Sequence, residues 1–490
     1  MGRKKKEVLK DDVTPILEVK TANNITEEQK TFIEYPINKD SLILRACAGS
    51  GKTFSSIERM KFLLKNGVDA KKIIFFSFTV AAIEELKHRI DSSDIKITTI
   101  HAFCMSTLSK MGKFKKICTF YDFINWFKEK NKPNNNSIQL NKNVFYEKIE
   151  ELYDNAEYLS AEISSFKLQT AEGIKCKIPD YLIEYTKFLK ESKSRDFSDM
   201  LIETRNFLKE EKWLRIFRNK YDYVFIDEYQ DISCIQASIL LSLNAKYYYL
   251  MGDAAQSIFG YSMANCIAVE EMVIKRRKTI VLNLSTNFRS AKSIVENSNK
   301  YSSLQAIPFH KDFPGCVHKQ ILKFEDIVNI IKEKEEVVIL VRTNNIIKEL
   351  EKRLLKLKIP IKYSNFITDK EIEELKKGCE RISTKNKINE LIPYFGSADI
   401  VLEFIEDNKN KKSFLISIHK SKGREFENCI IINSLSKEIL ELNGINLSEE
   451  QVKHYSFDQN DPFDYESKNV HYVAVSRAKK EMWFSIIDKN

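Results

Sequence analysis

Strands and helices alternate along most of this chain, and the sequence therefore predicts an α/β protein with parallel sheets. Short, apolar, β-rich runs separated by helical patterns fill residues 1–110 and 195–278. A second alternating set fills residues 279–375 and 413–490. Residues 111–194 carry long Lys- and Glu-rich helical patterns without a strand run. We therefore expect two α/β domains, with a helical domain inserted into the first.

The strands are predicted from apolar runs rich in β-branched and aromatic residues, each too short for a buried helix. Helical patterns follow most of them, as in a parallel sheet whose crossovers are helices. In chain order the runs occupy residues 42–44, 72–78, 223–226, 247–251, 279–282, 336–341, 413–417, 429–432 and 482–487.

Composition and charge narrow the class of protein. The 490 residues are 43% hydrophobic and 30% charged, a balance that supports sizeable cores. No run of eighteen apolar residues occurs and the start, MGRKKKEVLKDD, is basic and polar, so we expect an intracellular, soluble protein without membrane contact. The net charge of +10 favours a polyanionic partner. Nine scattered cysteines without a Cys-x-x-Cys pair predict free thiols.

A phosphate-binding loop follows the first predicted strand and precedes a helical pattern. It matches G-x-x-x-x-G-K-[ST] except at the first position, where alanine replaces glycine. Small residues allow backbone N–H groups to approach phosphates, Lys52 can reach the β and γ oxygens, and Thr53 can bind Mg²⁺. The predicted nucleotide contacts are Ala46, Cys47, Ala48, Gly49, Ser50, Gly51, Lys52 and Thr53.

A pair of carboxylates ends the predicted strand at 223–226. Hydrolysis of a nucleotide needs one carboxylate for the metal ion and another to activate water. Asp227 is predicted to bind Mg²⁺, and Glu228 to accept the proton of the attacking water. An acidic turn after a core strand is the competing interpretation, which the phosphate loop makes less attractive.

The order of these and further segments resembles the UvrD/Rep type of superfamily 1 DNA helicases over nearly the whole chain. The segments that carry the resemblance are NITEEQ at 24–29, FT at 78–79, TIHAFC at 99–104, DFSDML at 196–201, DEYQD at 227–231, GDAAQSIFGY at 252–261, TNFRS at 286–290, VRTN at 341–344, IHKSKGREF at 418–426 and YVAVSRAK at 472–479.

The resemblance implies two RecA-like P-loop domains that share one ATP site, with Mg²⁺ and ATP as cofactors. Arg289 and Arg477 would reach the γ-phosphate from the second domain, a position that also suits guanidinium groups as clamps on developing charge. Gln256 would sense the same phosphate. The base and ribose contacts would be Gln29, Phe54, Phe288 and Glu425.

The same resemblance implies a site for single-stranded DNA across both domains. Phe78 and Tyr261 would stack on bases, although Phe78 also fits an ordinary core position at the end of an apolar strand. The remaining DNA contacts would be Thr99, His101, Arg342 and His419.

Departures from the family pattern concern coupling to DNA. Motif III lacks its usual arginine, since Ser262 follows Tyr261, and residues 80–83 lose two polar strand contacts.

Residues 376–412 are too few for the large helical insertion of the family, so we expect a vestigial insertion of two or three short helices. No extension follows the last motif, so we expect no fused nuclease domain.

The function expected from the resemblance is an ATP-dependent 3′–5′ DNA helicase and single-stranded DNA translocase in replication, repair or recombination. Its partners would be single-stranded DNA and single-strand/duplex junctions, with a nuclease or replication protein as a possible associate. The alternative is a DNA-stimulated ATPase that acts as sensor or regulatory subunit without unwinding alone. A third interpretation is an RNA substrate.

Overall fold

The computed structural model describes residues 25–78, 80–90, 92, 94–132, 139–260, 263–376, 382–432 and 464–485. Up to residue 110 the elements are α1 (Glu27–Ile33), β1 (Ser41–Ala46), α2 (Lys52–Lys65), β2 (Ile73–Ser77), α3 (Val80–Arg89), β3 (Lys96–Thr99) and α4 (Ile100–Lys110). The next are β4 (Lys116–Ile117), α5 (Phe120–Lys130), α6 (Gln139–Asp154), α7 (Ala156–Ala171), α8 (Leu182–Glu191) and β5 (Ser194–Arg195).

The chain then returns to strands and helices. These are α9 (Phe197–Phe207), α10 (Glu211–Phe217), β6 (Tyr223–Asp227), α11 (Cys234–Leu241), β7 (Tyr247–Gly252), α12 (Cys266–Ile274), β8 (Thr279–Leu284), β9 (Thr286–Asn287), α13 (Lys292–Ser298) and β10 (Ile307–Pro308). The last group is β11 (Cys316–Leu322), α14 (Phe324–Glu333), β12 (Val338–Val341), α15 (Asn344–Lys356), α16 (Asp369–Lys376), α17 (Ile382–Asn389), α18 (Ile392–Phe395), α19 (Ala398–Asp407), β13 (Phe414–Ser417), α20 (Ile418–Ser421), β14 (Phe426–Ile432), α21 (Asp464–Val475) and β15 (Ala478–Ser485).

The first sheet is parallel and has the strand order β3-β2-β6-β7-β1-β8. Its central strands β2 and β6 are buried at every position, as expected for apolar strands covered by helices on both faces. The carboxyl ends of β1, β6 and β7 lie side by side. The segments that follow these three strands are therefore neighbours, although they are far apart in sequence.

The boundary that the sequence analysis placed between residues 278 and 279 is wrong for one strand. β8 pairs in parallel with β1, from Ser41 opposite Thr279 to Ala46 opposite Leu284, so it completes the first sheet. Its local pattern is that of any half-buried strand, which does not identify its partner. The first sheet therefore ends at residue 284.

The second sheet is also parallel, with the order β11-β15-β14-β12-β13. The prediction of a mixed α/β chain with two parallel sheets is confirmed. Helices α17, α18 and α19 occupy most of residues 376–412. Leu391, Phe395 and Val401 from this stretch share one apolar core with Leu350 and Leu354 of α15, so the three helices pack onto the second sheet.

The inserted helices form a core of their own. Phe120, Phe123, Tyr185 and Phe188 of α5 and α8 are buried against one another. The short pair β4 and β5 closes the base of the insertion. No described helix is long and apolar enough to cross a membrane. The described cysteines are all free thiols.

Candidate functional site: a nucleotide cleft between two sheets

The phosphate loop joins β1 to α2 through two glycines with left-handed backbone angles. Gly49 has φ +72° and Gly51 has φ +80°, a region that L side chains seldom adopt. A Cβ atom at Gly49 would lie 2.7 Å from Cβ of Arg289, which belongs to the second half of the chain. The loop therefore has the glycines that a phosphate cradle requires, and Arg289 lies directly against it.

The carboxylates predicted for catalysis lie beside this loop. Nζ of Lys52 is 2.8 Å from Oε2 of Glu228, and the Gln230 amide donates to the same oxygen. Glu228 has φ +51°, an unusual value for a non-glycine residue directly after the buried Asp227. Such backbone strain is typical of functional sites, and here it places Glu228 next to Lys52.

Burial and mutual repulsion shift the pKa values of these groups. Burial, with the charge of Glu228, raises the pKa of Asp227 to about 7. Burial also opposes ionisation of Glu228, but Lys52 and Lys422 outweigh it and hold its pKa below the ordinary value. Burial is also the main reason that the pKa of Asp231 is raised to about 6. It likewise raises the pKa of Asp253 above its ordinary value. A divalent cation nearby would stabilise the charged forms of these carboxyl groups. No group of three or more metal-ligating side chains occurs among the described residues, so such a cation would need further ligands from the bound nucleotide.

Arg477 follows α21 and is 1% exposed. Its Nε donates to the carbonyl of Val473 at 2.9 Å, and its Nη1 to that of Arg424 at 3.1 Å. The Nη2 atom donates to Oε1 of Gln256 at 3.1 Å, which crosses from the second sheet domain to the first. Burial, reinforced by the nearby charge of Arg289, lowers the pKa of Arg477 to about 9. These hydrogen bonds fix the orientation of the Arg477 guanidinium group, which suits the binding of an anionic ligand in the cleft.

Further contacts across the cleft come from residues without a predicted role. The Tyr472 hydroxyl donates to Oδ2 of Asp253 at 3.1 Å and accepts from the Ala48 N–H at 3.3 Å. Nζ of Lys422 lies 2.6 Å from Asp231. Both residues belong to segments quoted for the family resemblance, but the sequence alone does not reveal that their partners lie in the other domain.

Arg289 is held by the groups around it. Its Nε donates to Glu425 Oε2 at 2.6 Å, and its Nη1 donates to the carbonyl of Ser476 at 3.1 Å. Lys479 also pairs with Glu425, at 2.9 Å. Glu425, expected near the ribose by resemblance, is thus paired with two cations, and its position fits a group that orients Arg289.

The residues expected around the base lie at the same edge of the cleft. The Gln29 side-chain amide donates to the carbonyl of Ser50 at 3.2 Å, directly against the loop. The backbone N–H of Phe288 donates to the carbonyl of Gly49 at 2.9 Å, and the Phe288 ring contacts Phe309 with centroids 4.6 Å apart. Phe54 lies one residue after Thr53 in α2 and packs on the core of the first sheet.

An aromatic row covers the surface beside the cleft. Phe78 is 44% exposed, so it is not an ordinary core residue. Its ring stacks on Phe259 with centroids 5.6 Å apart and an interplanar angle of 21°. The row continues to His419 at 6.2 Å, and Nζ of Lys422 lies 5.1 Å from the Phe259 ring centre. Phe259 was not predicted, while the predicted Tyr261 lies outside the described residues.

The other predicted DNA contacts divide into two groups. Thr99 is the N-cap of α4, where its hydroxyl accepts from the Ala102 N–H at 3.0 Å, and His101 packs edge-on against the exposed ring of Phe197. Arg342 lies near His419, whose pKa falls to about 4 because of burial and the charge of Arg342. Thr99 therefore has a local structural role, whereas Arg342 and His419 belong to the surface of the aromatic row.

Two sheets that share a phosphate loop, a carboxylate pair and two guanidinium groups are the arrangement typical of P-loop nucleotide-binding proteins. Residues 25–273 match the UvrD/REP helicase N-terminal domain, and residues 370–489 match the UvrD-like helicase C-terminal domain. The chain therefore belongs to the UvrD/Rep helicase family.

Similar proteins carry helicase names. The chain is 26% identical to a probable DNA helicase II homolog of Mycoplasma capricolum, over 77% of this chain and 58% of that protein. It is 26% identical to the ATP-dependent DNA helicase PcrA of Staphylococcus epidermidis, over 74% of this chain and 54% of that protein. It is 23% identical to a probable DNA helicase of Mycoplasma pneumoniae, over 93% and 82% respectively. The chain thus spans little more than half the length of the first two relatives.

Proposed function

We propose that this chain is an ATP-dependent DNA helicase and single-stranded DNA translocase that moves 3′ to 5′ and uses Mg²⁺. The observation that carries the proposal is the convergence of Arg289 and Arg477, from the second sheet domain, on the cleft that holds Lys52 and Glu228. ATP that binds there would hold the two domains together, and hydrolysis would release them. The family membership and the names of the relatives support the same activity.

Each residue of the cleft has a chemical task in this proposal. Glu228 accepts the proton of the attacking water, because its pKa, lowered by Lys52 and Lys422, keeps it ionised at neutral pH. Lys52, Arg289 and Arg477 stabilise the charge that develops on the transferred phosphoryl group. Thr53 and Asp227 are the proposed ligands of Mg²⁺, which when bound neutralises phosphate charge.

The cleft and the aromatic surface are connected through one lysine. Nζ of Lys422 pairs with Asp231, donates a hydrogen bond to the carbonyl of Gln256, and lies over the ring of Phe259. A change in the closure of the cleft therefore moves a group that contacts the aromatic row. This gives a physical route by which turnover of ATP changes the grip on DNA.

We name the surface formed by Phe78, Phe259, His419 and Arg342 the DNA face. The exposed ring of Phe78, stacked on the half-buried ring of Phe259, suits single-stranded bases, whose flat faces stack irrespective of sequence. Arg342 adds positive charge for the backbone. The single-strand/duplex junction is the proposed entry substrate, in replication, repair or recombination.

Steady-state ATPase rates with and without oligothymidylate test the proposal, followed by strand displacement on duplexes with a single 3′ or 5′ tail. We expect stimulation by single-stranded DNA and displacement from the 3′-tailed duplex alone. Absence of stimulation, or displacement from the 5′-tailed duplex, would contradict it. Equal stimulation by single-stranded RNA would favour an RNA substrate.

A regulatory ATPase subunit is the second candidate. The observation that favours it is the packing of α17, α18 and α19 into the core of the second sheet, which leaves these helices without a separate domain body. ATP turnover stimulated by DNA but without strand displacement, restored by a nuclease or replication partner, would support this candidate over the autonomous motor.

A further inference from the structure

The carboxylate of Glu157 makes polar contacts between the inserted helices and the second sheet domain. Glu157 lies in the first turn of α7, and its Oε2 accepts a hydrogen bond from Nδ2 of Asn344 at 3.0 Å. Its Oε1 lies 3.6 Å from Nζ of Lys420. Asn344 begins α15, and Lys420 belongs to α20. The insertion and the second domain thus contact each other where Glu157 accepts from Asn344 and pairs with Lys420.

The surroundings of this bridge favour an anion. Asn344 and Lys420 each lie within two residues of a group on the DNA face, namely Arg342 and His419. Nη1 of Arg342 is buried and has no hydrogen-bond partner in the described part of the chain. The N-terminus of α15, where Asn344 lies, also favours negative charge. The buried Oδ1 of Asn344 is an acceptor that likewise has no partner among the described residues, so what favours an anion here is the positive charge of Lys420 and Arg342.

The bridge is too exposed to serve as a strong structural link. The side chains of Glu157 and Lys420 are 62% and 56% exposed, and exposed ion pairs contribute little to stability. A nucleic-acid backbone, by contrast, presents successive phosphates and releases counterions when lysine and arginine bind them. The bridge is therefore weak enough for a strand of DNA to replace it.

We propose that the carboxylate of Glu157 occupies an anion site that a backbone phosphate of single-stranded DNA takes over, so that the insertion is an internal competitor for the DNA face. This inference rests on the proposed function. Binding of the strand breaks the contacts of Glu157 with Asn344 and Lys420 and separates the insertion from the second domain. A purely local role for Glu157, as an acid favoured at the N-terminus of its own helix, is the alternative that the experiment distinguishes.

The test measures binding of fluorescent oligothymidylate by anisotropy at fixed salt. Glu157→Ala should bind about two- to fivefold more tightly than the wild type, because an exposed pair no longer has to be broken. Glu157→Gln should show a smaller gain, since it removes the charge but retains a hydrogen bond. The matched control is Glu151→Ala, an exposed acid on the preceding helix, which makes the same change in net charge.

A second arm tests whether the gain passes through the proposed partners. In a chain that carries Asn344→Ala and Lys420→Ala, the further change Glu157→Ala should have no effect on binding. Equal gains for Glu157→Ala and Glu151→Ala, or a gain that persists in the double variant, would overturn the inference. Failure of the wild type to bind oligothymidylate would instead contradict the proposed function, so the two failures are distinguishable. Thermal melting of each variant establishes that it folds.

Discussion

The nucleotide cleft and the DNA face are formed by the same two sheets, but they are built differently. The cleft consists of buried charges, and nearly every one has a partner, as Lys52 has Glu228 and Arg477 has Gln256. The DNA face consists of stacked rings, of which Phe78 is 44% exposed. Preorganised polar groups suit a reaction with one geometry, whereas exposed rings suit a strand that moves past them.

This contrast predicts that substitutions in the cleft abolish turnover, while substitutions on the DNA face weaken its stimulation. The largest effect is expected for Lys52→Ala, which removes the cation nearest to both the phosphate loop and Glu228. We expect kcat for ATP to fall about a thousandfold. Steady-state ATPase assays measure the fall, and Lys65→Ala, at the exposed end of the same helix, is the control. Retained turnover in a folded Lys52→Ala variant would refute the role of the loop.

Arg477→Lys tests whether a positive charge without the guanidinium geometry is enough for ATP turnover. The guanidinium group donates to four acceptors, and lysine cannot reproduce this geometry; they belong to Val473, Arg424, Gln256 and Ser476. We expect kcat to fall about a hundredfold with a smaller change in KM, because the lost geometry matters most in the transition state. Arg215→Lys, at a site 77% exposed, is the control. Equal losses in kcat and affinity for ATP would indicate general damage to the cleft.

Phe259→Ala tests the other side of the comparison. Loss of one stacking ring should weaken binding of single-stranded DNA about tenfold, in the range measured for base–aromatic stacking. The readouts are anisotropy with oligothymidylate and the ratio of ATPase rates with and without DNA. Phe114→Ala removes a ring that is 72% exposed and is not part of the aromatic row, so it controls for loss of apolar area. If both variants bind alike, the aromatic row is not the DNA site.

The features that the sequence predicted depend on residues close together in the chain, whereas the features that it missed depend on contacts between distant segments. The phosphate loop and the Asp227–Glu228 pair depend on neighbours along the chain, so their spacing revealed them. Contacts that join distant segments escaped local reasoning. Phe259 was missed because its ring meets Phe78 across more than 180 positions of sequence. Strand β8 was misplaced because nothing in its own residues specifies pairing with β1.

Arg289 and Arg477 lie between these two cases, because they were predicted from the family resemblance and not from local spacing. Their place beside the loop could be expected only through resemblance to a family, since no periodicity links them to Lys52. The structure brings Arg289 against Gly49 and Arg477 against Gln256. Their hydrogen-bond partners Glu425, Ser476 and Arg424 lie within segments of that same resemblance, but their roles in orienting the cleft become visible only when the two domains are placed together.

The smallest effect concerns the electrostatics of the cleft without nucleotide. Burial and the charge of Glu228 raise the pKa of Asp227 to about 7, whereas an unfolded aspartate titrates near about 3.9. Between these values the folded protein holds a proton that the unfolded chain has lost. The contribution of Asp227 to stability is therefore complete below the lower value and is lost as pH rises towards the upper one, by about 1 kcal/mol per pH unit.

Asp227→Asn carries no such proton, so its melting temperature relative to wild type should rise as pH increases from about 5 to about 7.5. Melting curves in EDTA measure the difference, and Asp180→Asn, at an exposed site, should run parallel to wild type throughout. Parallel curves for Asp227→Asn would mean that the folded carboxyl titrates at its ordinary value. In that case the carboxyl groups of the cleft do not repel one another strongly, and their crowding would no longer support a site for Mg²⁺.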